Sequence, residues 1–66
     1  MKKLKAEIIT WYKDTYSLYS VCMEVRGGSL ETGTYKTKAY AKRSFISICN
    51  RLNITKDKYE FVEKTR

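Results

Sequence analysis

The hydrophobic period of this 66-residue chain changes from that of a strand to that of a helix at Thr37. Before Thr37, apolar residues recur at every second position, the spacing of a strand with one buried face. After it they recur every third or fourth position, the spacing of a helix. In residues 3–12, Leu4, Ala6, Ile8 and Thr10 share one face and Lys5, Glu7, Ile9 and Trp11 the other. In residues 16–26, Tyr19, Val21, Met23 and Val25 oppose Leu18, Ser20, Cys22 and Glu24. Lys13-Asp14-Thr15 is a polar connection of hairpin length. Arg26-Gly27-Gly28-Ser29 is the stronger turn signal, because adjacent glycines accept positive φ without steric cost. Residues 30–36 predict a short third strand, with Gly33 marking a bulge or a close backbone approach.

Thr37 can cap a helix, its hydroxyl accepting an orphan amide of the first turn. From Lys38 to about Leu52, the residues Ala41, Phe45, Ile48, Cys49 and Leu52 form one apolar stripe. Asn53 suits a left-handed helix end. Residues 58–63 alternate weakly and predict a fourth strand or an ordered tail. The expected architecture is one α+β domain over residues 1–66. It is a small antiparallel sheet of three to four strands with one helix packed on one face, in the order β-β-β-α-β. A single helix leaves the opposite sheet face to solvent or to a partner. Ile9 and Trp11, with Tyr12 beside the first turn, are the candidate protein-binding residues. Tyr19 and Tyr59 alternate with apolar neighbours and are expected in the core, whereas Tyr16 flanks the same turn as Tyr12.

Charge is distributed unevenly. The net charge is +7, and between Glu31 and Asp57 there is no acid but six cations: Lys36, Lys38, Lys42, Arg43, Arg51 and Lys56. A localised basic surface implies a polyanionic partner, nucleic acid first. Lys and Arg neutralise phosphates without reading sequence, and Tyr35 and Tyr40 between them can stack on unpaired bases. The candidate nucleic-acid-binding residues are therefore Tyr35, Lys36, Lys38, Tyr40, Lys42, Arg43 and Arg51, with RNA favoured over DNA. Lys38 and Lys42 project together at i, i+4. The expected form is a basic ridge along the strand-to-helix junction, with Tyr40 close to Lys36.

The same residues argue against catalysis. The chain has no histidine, so the commonest general base and a Cys–His nucleophile are absent. No phosphate-loop, dinucleotide or EF-hand spacing occurs, although a Tyr–Lys–Glu nuclease site stays open. The expectation is a non-enzyme with no cofactor and no metal. Cys22 and Cys49 are expected as two buried, reduced thiols, bridged only if their strand and helix touch. The N-terminus lacks the apolar core of a signal peptide, and no run reaches the ~20 apolar residues of a membrane helix. The expected location is intracellular, with no membrane partner. A chain this short buries only about 60% of its unfolded surface, which makes a homodimer or a stabilising partner plausible.

Two resemblances follow. GTYKTKAYAKRSFISI, with its Gly-x-Tyr-x-Thr-Lys-Ala-x-Ala pattern, resembles the strand-to-helix junction of YegP-type units. It is similar also to AP2-type and integrase arm-binding domains. These last two imply DNA binding through the sheet face away from the helix. The N-terminal half, an apolar strand, Trp11-Tyr12-Lys13-Asp14 and a second apolar strand, resembles small T-even-type phage proteins that block host defences. The TifA and Dmd types among them neutralise host ribonuclease toxins. That resemblance implies a non-enzymatic toxin inhibitor acting in the host cytoplasm, bound to RNA and to the toxin through the basic surface. The alternatives are a protein-only inhibitor docking by a strand edge or the Trp11 face, and an AP2-like DNA-binding regulator.

Overall fold

The computed structural model describes residues 3–65; Met1, Lys2 and Arg66, included above in the expected domain, lie outside the described residues. Strand β1 (Leu4–Tyr12) and β2 (Ser17–Val25) form a hairpin, and β3 (Gly28–Glu31) follows. Helix α1 (Lys38–Arg51), a 3-10 turn (Lys56–Lys58) and β4 (Tyr59–Thr65) complete the order. The fold is a small α+β sheet-plus-helix.

The sheet order is β3-β2-β1-β4. The first three strands are antiparallel, but β4 pairs parallel to β1, with Leu4 opposite Tyr59 and Ile8 opposite Glu63. The sheet is thus mixed, where an antiparallel one was expected. The reason is topological. β3 already runs in β1's direction, and α1 is the crossover that a return to a parallel neighbour requires.

The turn between β2 and β3 is tighter than the double glycine suggested. Val25 pairs with Gly28, so only Arg26 and Gly27 form the loop. Gly27 alone takes positive φ, at 91°. The ladder of β3 ends at Glu31, short of the expected residue 36. Glu31 lies opposite Cys22, but Tyr35, where an unbroken register would place Thr34, bridges to Tyr19. One extra residue therefore sits around Gly33, which is the bulge its position predicted. Thr32 holds the slip in place, its hydroxyl accepting from the Val21 amide at 2.9 Å.

Thr37 caps α1 from extended backbone, and its Oγ1 accepts the Tyr40 amide at 3.2 Å. At the other end Asn53 has φ 59°. Ile54 N–H bonds the Cys49 carbonyl at 2.8 Å and Asn53 N–H bonds that of Asn50 at 3.2 Å, the paired bonds of a Schellman end. The core is Ala6, Ile8, Val21 and Met23 from the sheet, Ala41, Phe45 and Cys49 from α1, and Tyr59 from β4. Phe45 meets the rings of Tyr59 and Phe61 edge-on, with centroids 5.4 and 5.9 Å away. Burying such a side chain contributes about 1.5–3 kcal/mol. Tyr59 is in the core and Tyr19 packs against it, as their alternation implied. The helical stripe stops sooner than expected: Ile48 is half-buried and Leu52, at the helix end, is 52% exposed.

Candidate nucleic-acid interface

The two sides of the sheet carry opposite charge. Alternation and register place Glu7, Glu24, Glu31 and Glu60 on the face away from α1, with Lys5 and Lys64. The fifth glutamate, Glu63, points to the helix side, where Lys38, Lys42, Arg43 and Arg51 lie along α1.

The helix divides its own cations between two flanks. On the flank toward the β3 edge, Tyr35, Tyr40, Arg43, Ser44, Ser47 and Arg51 line a shallow cavity of about 290 Å³. Tyr35 is held there by its bridge to Tyr19 and by its hydroxyl, 3.0 Å from Ser44 Oγ. The Tyr35 and Tyr40 rings run parallel, 12° apart in plane with centroids separated by 6.3 Å. The Arg43 guanidinium lies 6.0 Å from the Tyr40 centroid. Tyr40 is 62% exposed, so part of its ring, with a guanidinium beside it, is accessible to a planar, anionic ligand. Ser44 and Ser47 were not picked out from the sequence. Their signal was their spacing: residues 40, 43, 44, 47 and 51 are a single helical stripe.

Lys38 and Lys42 project from the other flank. Lys38 is ion-paired to Glu63 at 2.5 Å and lies 5.8 Å from the Tyr19 centroid. Lys42 lies 5.5 Å from the centroid of Phe61. The Glu63 partner raises the Lys38 pKa, while the Lys38 hydrogen bond lowers that of Glu63. Lys36 is elsewhere again, lining an open cleft of about 750 Å³ with Tyr16, Ser17, Leu18 and Tyr19. The single ridge expected along the junction is therefore three separate placements. The ring and cation beside Tyr40 are Tyr35 and Arg43, where the sequence suggested Lys36.

The predicted protein-binding residues also separate. Ile9 and Trp11 share the outer face, but Ile9 is only 8% exposed, not the open apolar residue expected. It lies between Ser20 and Lys64 in the register, and Trp11 Nε1–H donates to Ser20 Oγ at 2.8 Å. Trp11 is 36% exposed, and Tyr12 is exposed at the end of β1. The thiols are free and on opposite sides of the sheet. Cys49 is buried, but Cys22, expected to be buried as well, is half-buried on the outer face beside Glu31. Desolvation, then the Glu31 charge, pushes the Cys22 thiol pKa up, which disfavours a reactive thiolate.

Among the described residues no group of three or more His, Cys, Asp and Glu could hold a metal ion, and no helix is long and apolar enough to cross a membrane. No protein-family model, curated protein or solved structure matches the chain.

Proposed function

We propose that this protein is a non-catalytic binder of single-stranded RNA, and that the cavity of Tyr35, Tyr40, Arg43 and Arg51 is its contact site. The observation that carries the reading is the exposed Tyr40 ring with Arg43 over it and Tyr35 parallel to it. Aromatic faces bind splayed bases of any identity, and nearby guanidinium groups take phosphate in a bidentate fork. Ser44 and Ser47 add hydroxyls to the same cavity wall. The four glutamates on the outer face weigh against the AP2-like alternative, which docks DNA on that face. In the setting implied by the resemblance to phage inhibitors of ribonuclease toxins, the bound strand would be shielded from cleavage.

The test is a fluorescence-anisotropy titration of a labelled single-stranded RNA, a duplex of the same sequence and a single-stranded DNA. Tightest binding to single-stranded RNA, weakening as salt rises, supports the reading. Absence of RNA binding at low salt overturns it. Protection of the bound RNA from an added ribonuclease tests the inhibitory role separately.

A further inference from the structure

The two edges of the sheet differ. β3 has four residues and ends at the slip around Gly33, so it offers a neighbour little to pair with. β4 has seven residues, Tyr59–Thr65, without proline, glycine or bulge. Among the described residues it pairs on one side only, with β1. An edge of that length presents a row of open backbone donors and acceptors, which proteins commonly blunt with charge. The charges on β4 do the opposite when the strand meets itself.

We propose that β4 pairs antiparallel with β4 of a second copy, about a twofold axis at Val62, to give one continuous eight-stranded sheet. In that register, Glu60 lies opposite Lys64 of the second copy and Lys64 opposite its Glu60. Val62, half-buried in one copy, lies opposite its own counterpart. Glu60, Val62 and Lys64 are all on the outer face, so the three cross-strand pairs form one row: ionic, apolar, ionic. On the helix side, Phe61 faces Glu63 of the second copy. Lys42, whose ammonium lies over Phe61, is then beside that carboxylate.

An antiparallel junction places the twofold axis normal to the sheet, so both helices lie on the same face. The apolar gap of about 210 Å³ at this edge, lined by Ile46, Lys56, Tyr59 and Phe61, then borders the seam. The cavity containing Tyr40 is on the other flank of α1 and stays open in each copy, so the pairing neither needs RNA nor depends on the RNA reading.

The test is a charge exchange followed by sedimentation equilibrium without nucleic acid, at physiological salt so that the net positive charge of each copy is screened. The unmodified chain is expected to be dimeric at submillimolar concentration. Glu60→Lys alone sets Lys against Lys64 across the seam, and Lys64→Glu alone sets Glu against Glu60, besides giving up the 3.7 Å ion pair of Lys64 with Glu7 in its own copy. Each variant is expected to be folded by circular dichroism and monomeric. Mixed in equal amounts, they restore both ionic pairs and are expected to form a heterodimer. A monomeric unmodified chain overturns the proposal, and so do variants that dimerise as well alone as together.

Discussion

The rings of Tyr35 and Tyr40 run parallel, 12° apart in plane, although one belongs to the strand connection and the other to the helix. They are not equivalent. Tyr35 is half-buried and its hydroxyl is tied to Ser44, whereas Tyr40 is exposed and has Arg43 over it. Tyr40→Ala is expected to weaken RNA binding by about 1–3 kcal/mol, the worth of one stacked base, with little change in melting temperature. Tyr40→Phe keeps the ring and should bind nearly as well. Tyr35→Ala should lower both affinity and stability. Anisotropy and thermal melts on the three variants separate these outcomes.

The division of cations between the two flanks of α1 predicts two classes of charge variant. Arg43→Gln with Arg51→Gln removes two candidate phosphate contacts. For single-stranded nucleic acid each contact contributes about 0.7 to the slope of log K against log salt, so the slope should fall by about 1.4. Lys38→Gln should leave the slope unchanged, because Lys38 is paired with Glu63 on the opposite flank. An equal loss in both classes would mean a diffuse cationic surface with no localised cavity.

Much of the fold was legible because its signals are local. Thr37 and Asn53 mark the helix ends by their own side-chain and backbone preferences, and alternation assigns the faces of β1 and β2. Gly33 announced the register slip. Partner choice was not legible, because it depends on contacts distant in sequence. Nothing in residues 58–63 says that β4 lies parallel to β1, or that Glu63 reaches Lys38. For the same reason the site came out in part. Tyr35, Tyr40, Arg43 and Arg51 share the cavity, but Lys36, Lys38 and Lys42 were grouped with them only by closeness in sequence. Ser44 and Ser47 carry neither charge nor a ring, so only their helical spacing marks them.

The glycines give a test of backbone geometry. Gly27 has φ 91°, a conformation that side-chain-bearing residues rarely adopt, while a methyl group at Gly28 or Gly33 would meet no atom within 4 Å. Gly27→Ala is expected to cost about 1–2 kcal/mol, the strain of a left-handed residue with a Cβ. Gly28→Ala and Gly33→Ala should be nearly silent. Urea unfolding of the three variants decides it, and equal loss at Gly27 and Gly28 would contradict the two-residue loop.

The helix cap gives a second stability test. The Thr37 hydroxyl accepts the Tyr40 amide, and α1 has no acidic residue in its first turn to complement that end of the helix. Thr37→Ala should therefore cost about 1 kcal/mol, which lowers the melting temperature of a domain this size by about 4–8 °C. Thr37→Ser or Thr37→Asp should retain the cap. The aspartate should do so with some gain, because a negative charge suits a helix N-terminus. A scanning calorimetry series across the four proteins tests the order.

Acid should loosen the molecule at the contact between α1 and β4. The Lys38 hydrogen bond holds the Glu63 carboxyl below its ordinary pKa, and the Thr55 hydroxyl does the same for Asp57. A depressed carboxyl pKa means that the unfolded chain binds the proton more readily. Stability from these groups is therefore complete above the ordinary carboxylate pKa of about 4.3 and is lost as pH falls through the lower folded value. The Lys38 pKa is raised, so its contribution is complete below about 10.4 and is lost as pH climbs through the folded value. The melting temperature should be level from about 4.3 up to the ordinary thiol range of about 8.5, above which the raised thiol pKa values of Cys22 and Cys49 begin to lower it. Glu63→Gln should shrink the acid-side loss and leave the Asp57 share. If the acid limb is identical in Glu63→Gln and the unmodified chain, the pair between Lys38 and Glu63 does not hold helix to strand in solution.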